Sequence, residues 1–93
     1  MTIAVNIDGH CLITGPGRVE VQPALSGAEV ALLTAVATGT KESLYQLSIE
    51  LNMSYAHAWQ TVKRLQRRGM IAVNKNGSAN TLIISALVNP VGG

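Results

Sequence analysis

The chain has 93 residues, of which 47% are apolar, and a net charge of +2; this fits one compact domain and leaves little room for a second. The one cysteine, Cys11, excludes an internal disulfide, and without a His or Asp partner pattern we expect a half-buried strand residue rather than a nucleophile. No apolar run approaches the ~20 residues of a membrane span, and the chain opens with no signal peptide. We therefore expect a cytoplasmic protein.

A β-hairpin is predicted at the start of the chain. Apolar and polar residues alternate over 3–7, Asp8-Gly9 is a turn pair, and the extended pattern resumes over 10–14. Gly15-Pro16-Gly17 then breaks the chain. The alternation over 19–23 leaves a short strand and an extended loop both open.

Three helices are predicted next, each opened by a serine that can cap its N-terminus. Glu29 completes a capping box in the first helix, and Gly39 stops it. Asn52, which tolerates the left-handed conformation of a tight turn, separates the second helix from the third, and Gly69 stops the third. The helices cover about residues 26–38, 43–51 and 54–68 and begin at Ser26, Ser43 and Ser54.

A second β-hairpin is predicted after the third helix. Residues 70–75 alternate, Asn76-Gly77 is a strong tight-turn signal, and residues 81–88 form another β-rich run. Residues 89–93 are expected to be a frayed tail.

The order of hairpin, three helices and hairpin predicts a single α+β domain over residues 1–93 with a winged helix-turn-helix fold. It has a three-helix core, an N-terminal β-hairpin and a C-terminal β-hairpin wing. We assign residues 1–25 to the N-terminal hairpin and arm, 26–88 to the helix-turn-helix and wing, and 89–93 to the tail. Leu47, Leu51 and Met53 are expected to anchor the second helix and the turn, and the small Ser48 permits close helix approach.

The charges are distributed unevenly along the chain. All acidic residues lie before Leu51, and a one-sided positive field favours a polyanionic partner. Basic side chains near a helix C-terminus also suit the helix dipole, so the charges alone leave both interpretations open. From Leu51 onward the charged residues are Lys63, Arg64, Arg67, Arg68 and Lys75.

Helical geometry divides the third helix into two faces. At ~100° per residue, Ala58, Val62 and Leu65 share one face, with Tyr55 alongside. The opposite face carries cations and hydrogen-bonding groups without an acid, which suits the major groove of DNA. An ordinary amphipathic helix with a solvated outer face is the alternative. The residues of this outer face are Ala56, His57, Gln60, Lys63, Arg64 and Arg67.

Specific contacts follow from position along the helix. Residues near its N-terminal end reach the bases, so we assign His57 and Gln60 to base edges. Lys63 and Arg67 are assigned to phosphates, and Arg64 stays open between phosphate and base.

The predicted wing, Trp59 and the two histidines are the remaining candidates for functional contacts. Lys75 and Asn76 are predicted to contact a phosphate or the minor groove, with a plain hairpin tip as the alternative. Trp59 is expected to pack against the wing or the N-terminal hairpin rather than stack on a base. His10 and His57 lack metal-ligand spacing, so we expect no metal and no other cofactor.

Two stretches resemble a known family: Gly15-Pro16-Gly17-Arg18-Val19-Glu20 and Met53-Ser54-Tyr55-Ala56-His57-Ala58-Trp59. They are similar to the N-terminal domain of ModE-type molybdate-responsive regulators, which belong with the LysR-like winged helices. The resemblance would cover about residues 3–87. It implies an N-terminal hairpin, a homodimer and DNA binding through the helix that begins at Ser54, with Ser54, His57 and Gln60 at the groove. The chain differs from the family in residues 21–25, which intervene before the first helix, and in a wing with few glycines.

The predicted function is therefore sequence-specific binding of double-stranded DNA by a transcriptional regulator. Two-fold sites require a dimer, which helix one or the N-terminal hairpin would supply. The alternative is a protein-interaction winged helix that binds no nucleic acid, for which an apolar patch would replace the basic face. No acid–base pair, phosphate loop or activated nucleophile is present in the sequence, so we expect no enzyme. We also expect no small-molecule effector site and no molybdate binding within this chain.

Overall fold

The computed structural model describes residues 1–40, 43–76 and 81–91, and these form an α+β fold of three helices and strands in two sheets. The predicted α+β class and the three helices are confirmed. No helix in these ranges is long and apolar enough to cross a membrane. The elements are β1 (Ile3–Ile7), β2 (His10–Gly15), β3 (Arg18–Pro23), α1 (Gly27–Ala37), α2 (Leu44–Glu50), α3 (Tyr55–Arg67), β4 (Ile71–Asn76), β5 (Thr81–Ala86) and β6 (Asn89–Pro90).

Two tight turns build the antiparallel part of the first sheet. Asp8 and Gly9 both have positive φ, 51° and 79°, which is the requirement of a two-residue hairpin turn between β1 and β2. Pro16-Gly17 joins β2 to β3, and Gly17 adopts a φ of 69° that favours glycine after proline. Residues 19–23, left open between strand and loop by their sequence, thus belong to a strand.

The prediction of a frayed tail is wrong for Asn89 and Pro90. These residues form β6, which pairs parallel with β1 and completes the strand order β3-β2-β1-β6. The backbone N–H of Asn89 donates to the carbonyl of Thr2, and that of Val91 donates to the carbonyl of Ala4, both at 2.9 Å. The backbone groups of this segment have partners on β1, which is why the segment is ordered.

All three helices begin at the predicted serines. Ser26 Oγ accepts from the backbone N–H of Glu29 at 3.2 Å, and the Glu29 carboxylate accepts from the backbone N–H of Ser26 at 3.0 Å, so the capping box is present. Ser43 Oγ and Ser54 Oγ likewise each accept from the backbone N–H three residues on, at 3.2 and 3.1 Å. These bonds satisfy donors that the helix itself leaves free.

Helix α1 lies at the centre of the packing. It contacts α3, β5 and β6, and it buries Leu32, Leu33 and Val36. The lead-in to α1 is fixed to the sheet, because the Asn6 amide donates to the carbonyl of Leu25 and accepts from its N–H. The core that results also takes in Ala4, Cys11, Ile13, Leu47, Val62, Leu65, Met70, Ile71, Ile84 and Val88.

Cys11 is completely buried rather than half-buried as predicted. It lies on the inner face of β2 within the core, opposite Gln22 of β3. Burial raises the pKa of the Cys11 thiol, with the nearby Arg68 charge acting in the opposite sense. Since the thiolate is the reactive form, this cysteine is a packing residue rather than a nucleophile.

Candidate nucleic-acid interface

A tight turn joins α2 to α3. Asn52 adopts a left-handed φ of 54°, as predicted from its residue type. The chain then reverses so that the backbone N–H of Met53 donates to the carbonyl of Ser48 at 2.9 Å. Ser48 is itself buried, and its hydroxyl donates back to the carbonyl of Tyr45. A short turn with these bonds holds the two helices in one fixed arrangement.

Apolar side chains anchor this pair of helices to the core. Leu47 of α2 is completely buried, and Leu51 and Met53 of the turn are partly buried against the core. Helix α2 packs against α3, which in turn packs against α1. The start of α3 is therefore held by the same cluster that holds α1.

The inner face of α3 consists of small and aliphatic residues. Ala58, Val62 and Leu65 are buried as predicted, and Thr61 is buried with them. The Thr61 hydroxyl donates to the carbonyl of His57 at 2.8 Å, so its polar atom has a partner. Tyr55, predicted alongside this face, is instead 55% exposed. It is the first residue of α3, where the core does not cover its side chain.

The outer face of α3 is open to solvent along its length. His57, Gln60 and Arg64 follow one another at spacings of three and four residues, and Arg67 continues the same stripe. Within the ranges that the structure describes, no carboxylate pairs with Lys63, Arg64 or Arg67. All the predicted helix residues of the site, Ser54, His57, Gln60, Lys63, Arg64 and Arg67, are exposed.

Two of these residues also have structural contacts. Ser54 Oγ caps the helix by accepting from the backbone N–H of His57, which leaves its own hydroxyl hydrogen for an external acceptor. The Lys63 ammonium lies 5.6 Å from the centre of the Trp59 ring. Such a contact is worth about 0.5–1 kcal/mol at an exposed site and keeps the cation beside the helix. Trp59 is half-buried and packs against the core, whereas its predicted contact with the wing or the N-terminal hairpin stays a prediction.

Arg68 differs from the other basic residues of this region. Its guanidinium lies 3.1 Å from the Glu29 carboxylate and donates to the carbonyl of Pro23 at 2.7 Å. Its own carbonyl accepts from the Gln22 amide. These contacts join the C-terminal end of α3 to the start of α1 and the end of β3, so Arg68 positions the helix. The sequence gives no sign of this role, because Glu29 and Arg68 lie far apart in the chain.

The carboxylates of Glu20 in β3 and of Glu29 in α1 also have partners within the fold. Glu20 accepts from Gln22 and lies 3.4 Å from the Arg18 guanidinium. The Gln22 hydrogen bond and, after it, the Arg18 hydrogen bond hold the pKa of the Glu20 carboxyl below its usual value. Glu29 is committed to Arg68. These two negative charges are therefore compensated within the fold.

The second sheet provides the remaining candidates. Lys75 is exposed on β4, opposite Leu82 of β5, and Asn76 ends β4 opposite Thr81. The predicted turn at Asn76-Gly77 continues into residues 77–80, which lie outside the described residues. The DNA contact predicted for Lys75 and Asn76 therefore stays a prediction.

Comparison of the chain with protein-family models, with curated proteins and with solved structures finds no match, so its similarity to ModE-type regulators remains a prediction from two short stretches of sequence.

Proposed function

We propose that this protein is a winged helix-turn-helix regulator of transcription that binds a specific sequence of double-stranded DNA through α3. The observation that carries the proposal is the outer face of α3, where three cations, an imidazole and an amide lie exposed and where no carboxylate of the described residues pairs with the cations. This helix follows a tightly linked α2 and precedes the antiparallel pair of β4 and β5, an order of elements that supports a winged helix-turn-helix.

The dimensions of α3 suit the major groove. Its 13 residues span ~20 Å at 1.5 Å per residue, and a helix of ~10–12 Å diameter enters a groove ~12 Å wide. His57 and Gln60, in the first half of the helix, would face base edges, and an amide can pair with adenine through two hydrogen bonds. Lys63 and Arg67 would neutralise phosphates. For Arg64, a base contact and a phosphate contact both stay open.

The β4–β5 hairpin would act as the wing. Lys75 is exposed on β4, and we expect it to contact a phosphate or the minor groove. Two copies of the chain would bind a two-fold site as a homodimer. A DNA target and a free thiol fit a cytoplasmic location.

The alternative function, a protein-interaction module that binds no nucleic acid, requires an apolar patch on the outer face of α3. That face carries Lys63, Arg64 and Arg67 instead, which favours a polyanion. We propose no nucleophilic role for Cys11, since its thiol is buried and its pKa is raised.

The test is duplex binding by the variant Arg64→Ala with Arg67→Ala. A duplex selected from a random pool by the parent protein serves as the probe, and the dissociation constant is measured over a series of salt concentrations. Each lost phosphate contact reduces the slope of log K against log salt by about one. The double variant is therefore expected to bind more weakly, with a slope lower by about one if Arg64 contacts a base and by about two if Arg64 contacts a phosphate.

The matched control is Gln66→Ala, which removes an exposed, uncharged side chain of the same helix outside the stripe. It is expected to bind with the affinity and salt slope of the parent. Parental affinity and slope in the double variant would show that α3 is not the element that binds DNA.

A further inference from the structure

The four-stranded sheet has an outer face without charged residues. The inner face packs against the core through Ala4, Cys11 and Ile13, whereas side chains of the outer face alternate with these along each strand. Val19 and Val21 of β3 are 80% and 64% exposed. Because both side chains lie on the outer face, they add to a continuous apolar surface, which is a common feature of interaction sites. The outer face comprises Ile3, Val5, Ile7, His10, Leu12, Thr14, Val19, Val21 and Pro23.

Strand β3 is also the open edge of this sheet. The two-residue turn makes Gly15 and Arg18 a hydrogen-bonded pair, so in the antiparallel alternation the backbone groups of Val19, Val21 and Pro23 point away from β2. The Arg68 guanidinium bonds the carbonyl of Pro23, in agreement with that direction. Within the described ranges, no hydrogen bond from outside the sheet reaches the backbone of Val19 or Val21.

We propose that β3 pairs antiparallel with β3 of a second copy of this chain across a two-fold axis at Glu20. Val19 of each copy then exchanges backbone hydrogen bonds with Val21 of the other, and the two sheets become one. This inference deepens the proposed function, because a two-fold DNA site needs a dimer, but its test contains no DNA.

The charges fit a second copy as the occupant because the two Glu20 carboxylates that meet at the axis come with two Arg18 cations. Each copy brings one Arg18 and one Glu20, already ion-paired at 3.4 Å, so the inner face of the joined strands carries no net charge. Each Glu20 also gains Arg18 of the other copy as a diagonal neighbour. On the outer face, four valines form a stripe continuous with Leu12 and Val5 of each sheet.

The size of the contact sets the expected affinity. With the axis at Glu20, residues 18–22 of the two copies pair over ~17 Å, and this pairing, with the contact between the exposed valines of both strands, lies at the low end of specific interfaces, below ~1,200 Å² in total. We therefore expect a reversible dimer with a dissociation constant of order micromolar.

The test is sedimentation equilibrium of the full chain without DNA, from about 1 μM to about 1 mM. The parent is expected to dimerise, and Val21→Lys to weaken the dimer at least a hundredfold, since two-fold symmetry introduces the charge twice. Ile49→Lys is the matched control, because Ile49 of α2 is 56% exposed but lies outside the sheet. It is expected to keep the parental dissociation constant. Thermal unfolding checks that each variant is folded.

A second pair of variants tests the position of the axis. Arg18→Gln leaves two Glu20 carboxylates facing each other and is expected to weaken the dimer roughly tenfold at low salt. Glu20→Gln in the same chain removes the repulsion and is expected to restore it. A parent that remains monomeric throughout, or a dimer that Val21→Lys leaves unchanged, would overturn the proposal whether or not the protein binds DNA.

Discussion

Arg67 and Arg68 are neighbours in sequence with different roles in the fold. Arg67 is exposed at the last position of α3, whereas the Arg68 side chain is 21% exposed and contacts Glu29 and Pro23. The Glu29 side chain is only 4% exposed. A buried carboxylate of this kind depends on its cation, since removal of one partner leaves a charge without compensation.

We therefore predict that Arg68→Ala lowers the free energy of unfolding by about 3–5 kcal/mol, measured by urea denaturation. Arg67→Ala, the matched control at an exposed position, is expected to change it by no more than ~0.5 kcal/mol. Adding Glu29→Gln to Arg68→Ala removes the uncompensated charge and is expected to recover part of the loss. Equal effects of the two arginine variants would show that the Glu29–Arg68 ion pair does not stabilise the fold.

Helix boundaries were predictable from the sequence because the signals that set them are local. Ser26 and Glu29 form their capping box over three residues, and Asn52 carries its own tolerance for positive φ. The orientation of Tyr55 was not predictable in this way. A helical wheel assigns an angle to the first residue, but whether the core extends far enough to cover that residue depends on packing elsewhere.

The turn between α2 and α3 gives a prediction at the scale of these elements. Asn52→Ala places at φ 54° a residue that has a Cβ but no polar side chain to hydrogen-bond the local backbone. This variant is expected to lower the free energy of unfolding by about 1 kcal/mol. Asn52→Gly is expected to be neutral or slightly stabilising, because glycine adopts this conformation freely. Chemical denaturation of the two variants measures the difference. An alanine variant as stable as the glycine variant would contradict the account.

At the scale of the whole molecule, the start and the end of the described chain meet in one sheet. Strand β6 pairs with β1 through bonds to Thr2 and Ala4. No sequence pattern predicts a two-residue strand whose partner lies at the other end of the chain, since such a segment is too short to show a periodicity. The same limit applies to the Glu29–Arg68 pair, whereas β1 and β2 were predictable from their alternation and turn.

A chain shortened to end at Val88 is accordingly expected to be less stable. It loses the two backbone hydrogen bonds from Asn89 and Val91, at about 1 kcal/mol each, and leaves the edge of β1 open to water. Urea denaturation measures the loss, and amide hydrogen exchange is expected to accelerate in β1 and β2 more than in α3. Unchanged exchange in β1 would mean that β6 contributes nothing to that edge.

The two edges of the four-stranded sheet are unequal. One edge is β6, which has only two residues, one of them a proline. The other edge is the six-residue β3 with its two exposed valines. A short edge containing proline is a poor template for further strands. Growth of this sheet by strand addition would therefore stop once two β3 edges had joined, giving a closed pair of chains rather than a fibre.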